Sequence, residues 1–220
     1  MAPGRLTALQ ESVLVVLCGL TPAWTLTGGG ALVGFYTLHR ETRDLDLFFR
    51  GERSLGTLVA EAKQRIEAAG LAVVVLRTTP TFSQLEARND TEVVIVHLVA
   101  DPTPVAEAPR TASIGGVDIL VETPHQLLVN KLCALLGRSE LRDLVDVGAL
   151  LAAGEDLVRA LHDCPQQDAG FSPLTLAWCL QGLEIGRLAA ALGWAAPEVS
   201  AIERFRDELV ARVLAEARPD

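Results

Sequence analysis

Several features are scarce in this sequence, and each absence excludes a class of protein. Aromatic residues make up only 5% of the chain and are not interleaved with basic residues, so the sequence pattern does not indicate a base-stacking surface for RNA. The cysteines are widely separated and none has the spacing of a zinc ligand pair; they are Cys18, Cys133, Cys164 and Cys179. We therefore expect buried thiols in a reducing cytoplasm.

Long hydrophobic runs are also missing. The longest apolar stretches, residues 13–20 and 71–76, are far too short to cross a bilayer. Residues 1–5, which are soon followed by Glu11, do not have the pattern of a secretory signal. The net charge of −9 argues against broad nucleic-acid binding and would suit a cationic substrate or partner.

The hydrophobic periodicity predicts a chain of two parts. Half of the residues are hydrophobic, so the chain can bury a sizeable core. In the first part we expect helices over 6–20, 30–38 and 55–69, and strands over 23–27, 45–49, 71–77, 82–88, 92–99 and 117–121. The proline-containing segment 100–112 is expected to be a loop. In the second part we expect helices over 124–136, 141–153, 155–162, 173–182 and 198–217.

These elements predict an α+β domain over 1–122 followed by a helical domain over 123–220. The tryptophans lie in apolar contexts and are expected in the core; they are Trp24, Trp178 and Trp194.

The most informative stretch runs from Gly28-Gly29-Gly30 to Asp44-Leu45-Asp46. Side chains alternate along a strand, so Asp44 and Asp46 should project from one face, about 7 Å apart. Glycines at the start of a helix allow backbone N–H groups to approach phosphates closely. A carboxylate pair can hold divalent ions that bridge a triphosphate. The stretch therefore indicates binding of Mg²⁺ and a nucleoside triphosphate. A structural role also stays open, in which Asp44 caps a turn and Asp46 pairs with an arginine.

A second group of charges lies in the helical part. Lys131 and Arg138 are two helical turns apart and share a face, and Asp143 and Asp146 share a face of the next helix. A lysine in this position can bind a β- or γ-phosphate, and an aspartate can orient it. On spacing alone, a solvated charged face with pairs such as Arg142 and Asp146 is the favoured interpretation.

Together these segments resemble a known family. The motifs LTGGGAL, HRETRDLDLFF, NKLCALLGR and LRDLVDVGALL, which lie between about residues 24 and 151, resemble the AbiEii/AbiGii toxin-type nucleotidyltransferases. That family is a branch of the DNA polymerase β-like nucleotidyltransferase superfamily. The resemblance implies a mixed sheet with flanking helices, followed by an α-helical half.

The resemblance also implies roles for individual residues. The implied catalytic residues are Asp44, Asp46, Lys131 and Asp143, with Asp44 and Asp46 as metal ligands. The implied nucleotide-binding residues are Gly28, Gly29, Gly30, Arg40, Thr42, Arg43, Lys131, Arg142 and Asp146. In this assignment the helical domain contributes two residues to the site: Lys131 contacts the triphosphate, and Asp143 helps to position the nucleophile.

One position departs from the superfamily pattern. Many members carry a third carboxylate on a later strand, whereas segment 94–99 of this chain has His97 there. Magnesium prefers oxygen ligands. Either the carboxylate pair is sufficient, or the site is altered, or His97 is an ordinary hydrogen-bonded strand residue. Asp101 lies beyond the predicted strand and is a weak substitute.

The leading prediction is a Mg²⁺- or Mn²⁺-dependent transfer of NMP from an NTP to an acceptor, with release of pyrophosphate. The resembling family implies a toxin–antitoxin or phage-defence role, RNA or tRNA as the acceptor, and a cognate antitoxin as a partner. Two alternatives stay open. The acceptor can be a small cationic molecule or a protein, which the acidic charge favours. The protein can also be a catalytically degenerate binder of nucleotide or a partner, which His97 favours.

Overall fold

The computed structural model describes residues 6–138 and 140–217. The chain divides into two compact units, Met1–Thr123 and Pro124–Asp220. The first unit contains all the strands found in the described residues, and the second is helical there.

The first unit is built on a mixed sheet. Its strands among the described residues are β1 Thr25–Thr27, β2 Asp44–Arg50, β3 Ala72–Thr78, β4 Phe82–Arg88, β5 Val93–Asp101, β6 Arg110–Ile114 and β7 Val117–Val121. They lie in the order β3-β4-β5-β2-β1-β7-β6. The central strand β2 is antiparallel to β1 and parallel to β5. The predicted α+β class with a mixed sheet is confirmed.

The helices of this unit are α1 Ala8–Leu17, α2 Gly28–Phe35 and α3 Leu58–Ala68. Helix α1 begins with a capping box, in which the Thr7 hydroxyl accepts from the Gln10 backbone and the Gln10 side chain accepts from the Thr7 N–H. Helix α3 ends at Ala68; Ala69 is its C-cap residue, and the next residue, Gly70, has a φ of +80°. That left-handed conformation is the usual glycine stop signal after a helix.

Along β2, the buried face is apolar and the other face carries the charged side chains. In β2, Leu45, Leu47 and Phe49 have no exposed surface, whereas Asp44 and Asp46 on the opposite face are half-buried. Burying each large apolar side chain contributes about 1.5–3 kcal/mol. A slip of one residue would exchange the faces and place both aspartates in the core, so this burial fixes the register that presents them.

The second unit is helical throughout its described part. Its helices there are α4 Pro124–Gly137, α5 Leu141–Ala152, α6 Leu157–Gln167, α7 Pro173–Gln181, α8 Ile185–Ala191 and α9 Ala196–Glu216. The side chains of Asp156 and Ser172 accept backbone N–H groups at the starts of α6 and α7. No helix among the described residues combines the length and the apolar character needed to span a membrane.

The structure corrects several predicted elements. Segment 100–112 is not all loop, because β5 runs to Asp101 and β6 begins at Arg110. Gly115 and Gly116, with φ of +55° and +82°, form the tight turn that pairs β6 with β7. Helix α8 was not predicted, and α6 continues through Pro165 to Gln167.

Helix α2 starts two residues earlier than expected. Its first turn consists of the glycines themselves, from Gly28 onward, rather than beginning at Gly30. Neighbouring residues therefore approach a helical backbone that carries no side chains in this turn.

Candidate active site

The centre of the candidate site is the polar face of β2. Asp44 and Asp46 lie two residues apart on this face, and Asp46 is flanked in register by Thr27 of β1 and His97 of β5. The Asp46 side chain is 26% exposed. Within the described residues, the carboxylate of Asp44 takes part in no hydrogen bond or ion pair. Two neighbouring carboxylates on one accessible face form a site with concentrated negative charge.

The glycine run packs directly against this face. A Cβ atom on Gly28 would collide with the Asp46 carboxylate, and one on Gly29 would lie 2.9 Å from both Arg40 Nη2 and Thr42 Oγ1. Gly28 also has a φ of +61°, which L-residues rarely adopt. The structure thus brings Gly28, Gly29, Arg40, Thr42 and Asp46 together.

The start of α2 has the properties of an anion site. The first N–H groups of a helix have no partner within the helix, and the helix dipole adds partial positive charge there. Thr27, at the N-cap position, does not cap these groups with its side chain. Backbone donors at Gly28 to Gly30 can therefore bind phosphate oxygens beside the carboxylates.

His97 contacts Asp46 directly. Its Nδ1 lies 2.8 Å from Asp46 Oδ1, and its side chain is 21% exposed. The hydrogen bond to Asp46 raises the pKa of His97 above its usual value, and the desolvation that opposes this rise is weaker. The geometry is that of a half-buried, hydrogen-bonded strand histidine.

The side chains present fit a magnesium ion. Among residues 6–138 and 140–217, no group of three His, Cys, Asp or Glu side chains is arranged to hold a metal. Magnesium, however, is usually held by one or two carboxylates together with substrate phosphates and water, rather than by an all-protein cage. Asp44 and Asp46 supply two such oxygen donors, and the glycine turn beside them can hold phosphates.

A second polar network lies on the same sheet face. Arg50 forms ion pairs with Asp101 and Glu122, and the Thr27 hydroxyl donates a hydrogen bond to Glu122. Burial raises the pKa of the Glu122 carboxyl above its usual value, although Arg50 acts in the opposite direction. This network was not predicted, but Arg50 is four residues from Asp46 on a strand and so had to share its face.

Asp101 is the last residue of β5 and not outside the strand as predicted. Its backbone partner is Arg50, whereas His97 is the residue beside Asp46. His97 and Asp101 are four residues apart on β5, which is a distance of about 13 Å along the strand. Asp101 therefore does not stand in for a third carboxylate next to Asp46.

The second unit contains a closed ion cluster. Lys131 Nζ lies 2.7 Å from Asp143 Oδ1 and 2.7 Å from Asp146 Oδ2, and Arg138 donates two hydrogen bonds to Asp143. Burial favours a higher pKa for Asp143, but the hydrogen bonds and charges of Arg138 and Lys131 outweigh it, so the pKa is lowered. The structure thus brings the predicted residues Lys131, Asp143 and Asp146 into contact.

Two expectations for this unit are wrong. Arg142 pairs with Glu140 at 3.2 Å and does not form the solvated pair with Asp146, which is completely buried. Trp178 was expected in the core, but it is 74% exposed on α7.

Arg43, the remaining predicted nucleotide-binding residue, lies in the first unit and is exposed just before β2.

The fold is shared with solved nucleotidyltransferase-like structures. JHP933 from Helicobacter pylori is 19% identical, with a TM-score of 0.53 over 94% of this chain and 88% of that one. A second H. pylori structure, described as a candidate nucleotidyltransferase, is 19% identical, with a TM-score of 0.55 over 96% of each chain. An antigenic nucleotidyltransferase-like protein from Paracoccidioides brasiliensis is 17% identical, with a TM-score of 0.52 over 91% of this chain and 94% of that one.

No curated protein is significantly similar in sequence. The model of the family described as nucleotidyl transferase AbiEii toxin, type IV TA system, matches residues 13–172. This match includes the glycine run, the aspartate pair and the Lys131 cluster, and it confirms the resemblance found in the sequence. The chain therefore belongs to the AbiEii family of nucleotidyltransferases.

Proposed function

We propose that this protein transfers NMP from an NTP to an RNA acceptor in a reaction that depends on a divalent metal ion. The observation that carries the proposal is the contact between the glycine turn and the carboxylate pair. Gly28 lies against the Asp46 carboxylate, so a phosphate site and a metal-binding pair are adjacent on one sheet face. Nucleotidyl transfer requires these two features side by side.

In this proposal the first unit binds the triphosphate. The N–H groups at Gly28, Gly29 and Gly30 bind phosphate oxygens, and Arg40 and Thr42, which pack against Gly29, line the same place. Asp44 and Asp46 hold Mg²⁺ or Mn²⁺, which when bound supplies positive charge to the triphosphate oxygens. Arg43 is available to the nucleotide from the exposed segment before β2.

The chemical step is a substitution at the α-phosphorus. The acceptor hydroxyl oxygen forms a bond to that phosphorus, the bond to the bridging oxygen of the β-phosphate breaks, and pyrophosphate leaves with the bonding electrons. The hydroxyl proton passes to solvent.

Roles in the second unit follow from the family resemblance. Lys131 binds triphosphate oxygens, Asp143 positions the nucleophile, and Arg142 and Asp146 support nucleotide binding. Lys131, Asp143 and Asp146 already form one hydrogen-bonded cluster, so each holds the others in a defined orientation. Because the cluster is buried, label transfer by each substituted protein has to be compared with its urea unfolding.

The biological setting also follows from the family. We propose a toxin of a toxin–antitoxin or phage-defence pair that acts in the cytoplasm, where NTPs and RNA occur, with tRNA as one acceptor class and a cognate antitoxin as partner. The acidic net charge of −9 motivates a second candidate acceptor, a small cationic molecule or a protein.

The test is label transfer from each of the four α-³²P NTPs, with Mg²⁺ or Mn²⁺, into total RNA, total protein and an aminoglycoside. We expect label in RNA from one preferred NTP, and none with Asp46→Ala. Label in protein or aminoglycoside alone would contradict the RNA acceptor. Full transfer by Asp46→Ala would contradict the metal-ligand assignment, and no label in any fraction would contradict the proposed activity.

A further inference from the structure

The polar sheet face carries a row of side chains beyond the carboxylate pair. The Phe82 and His97 ring centroids are 5.4 Å apart with planes tilted by 38°. The guanidinium of Arg77 lies 5.9 Å from the centroid of the Phe82 ring. Because His97 also contacts Asp46, the row runs from Arg77 on β3 through Phe82 and His97 to the site.

These residues are accessible from the polar face. Arg77 is exposed, and Phe82 and His97 are half-buried. Gln84 stands opposite both Arg77 and His97 in the strand register and adds an amide to the same surface. A half-exposed aromatic pair with a neighbouring guanidinium matches the chemistry that stacks a nucleobase and binds its phosphate.

The position of the row in the sheet indicates which substrate it meets. The strand order places β1 on one side of β2 and places β5, β4 and β3 on the other. The glycine turn follows β1, so the triphosphate site lies on the β1 side of the carboxylates. The row lies on the β5 side. Because the attacking and leaving oxygens of a phosphoryl substitution lie roughly in line, a triphosphate bound on the β1 side leaves the β5 side for the attacking hydroxyl.

We propose that Arg77, Phe82 and His97 form a stacking platform for the terminal nucleobase of the acceptor. This inference rests on the proposed nucleotidyl transfer and specifies where its acceptor binds. Phe82 supplies the ring face, Arg77 supplies charge for the acceptor phosphate, and His97 links the platform to Asp46. The sequence alone does not indicate this platform, because each of the three residues lies on a different strand.

The test compares short single-stranded RNAs that differ only at the 3′ terminus, with a normal base or an abasic sugar. Binding is measured by fluorescence anisotropy without NTP, and binding of a non-hydrolysable NTP is measured separately. We expect Phe82→Ala to weaken binding of the intact RNA by about 5- to 150-fold, which is the effect of losing one stacked base. Binding of the abasic RNA and of the NTP analogue should stay nearly unchanged.

Matched variants separate stacking from a structural role. Phe82→Trp keeps a ring face and should restore binding of the intact RNA. Arg77→Gln should weaken RNA binding, whereas Arg88→Gln, at the far end of the strand β4 that begins with Phe82, should not. Thermal unfolding of each variant verifies the fold, and Phe82→Trp keeps the inference testable if Phe82→Ala unfolds.

The outcomes are distinct. An equal loss for intact and abasic RNA, or no loss for either, would overturn the platform while leaving transfer to RNA intact. Weaker binding of the NTP analogue alone would assign the ring to the donor base and would also overturn the inference. If the wild type neither binds these RNAs nor labels any RNA, the proposed function itself fails.

Discussion

The two charged clusters of this molecule are built in opposite ways. On the sheet face, Asp44 and Asp46 are half-buried; Asp46 contacts His97, and the Asp44 carboxylate has no hydrogen bond or ion pair within the described residues. In the helical unit, Asp143 and Asp146 are 1% and 0% exposed, and lysine and arginine neutralise them. One cluster leaves its negative charge accessible to a ligand, and the other compensates it internally.

This difference shows how burial assigns roles to identical side chains. A buried carboxylate needs a bonded cation, because desolvation of an unpaired charge costs several kcal/mol. A carboxylate on an accessible face keeps part of its hydration and needs no such partner. We therefore expect substitution in the open pair, Asp44 and Asp46, to affect folding little, and substitution in the closed cluster to destabilise the protein.

The largest expected effect comes from Asp44→Asn. This change should reduce transfer by about 1,000-fold, because a metal ligand provides several kcal/mol of transition-state stabilisation. The free energy of unfolding should change by no more than about 0.5 kcal/mol, because the Asp44 carboxylate has no hydrogen bond or ion pair to lose within the described residues. Labelled-NTP transfer and urea unfolding of the same preparations measure both quantities.

Asp146→Asn is the matched change in the closed cluster. Lys131 then keeps only Asp143 of its two carboxylate partners, so the buried positive charge is no longer fully compensated. We expect a loss of about 3–5 kcal/mol in the free energy of unfolding. Urea unfolding measures this directly. An unchanged midpoint would contradict a stabilising role for the closed cluster and would remove the contrast with Asp44.

Gly28→Ala should disturb the open pair through the backbone. The new Cβ would collide with the Asp46 carboxylate, and the φ of +61° adds about 1–2 kcal/mol of strain. Gly51→Ala is the control, because Gly51 also has a positive φ, of +84°, but has nothing within 4 Å of a Cβ. Both variants should lose stability through backbone strain, Gly28→Ala the more because of the collision, and only Gly28→Ala should also lose NTP binding, measured by calorimetry.

The smallest expected effect is the pH dependence of the closed cluster. The pKa of Asp143 is lowered from 3.8 in the folded chain, so its stabilising contribution is present above that value and is lost as pH falls through the folded pKa. Unfolding temperatures below about pH 4 should therefore fall more steeply in the wild type than in Asp143→Asn. Parallel curves for the two proteins would contradict the lowered pKa.

Much of the fold could be predicted because local patterns determine it. Strand β4 over Phe82–Arg88 and strand β7 over Val117–Val121 match the predicted bounds, since alternating burial and turn residues define them. Strand β6 was missed because prolines in 100–112 favoured a loop, although pairing with β7 decides its conformation. Trp178 was misplaced because its helix has an apolar composition on more than one side.

The sequence alone determined the family, the α+β class and the common face of Asp44 and Asp46. These depend on residue order and on the two-residue period of a strand, which are local properties. Only the tertiary structure decided that Asp46 contacts His97, that Asp146 is buried against Lys131, and that Arg77, Phe82 and His97 form one row. Contacts between distant segments depend on strand order and helix packing, and these are set by burial over a whole unit rather than by any single motif.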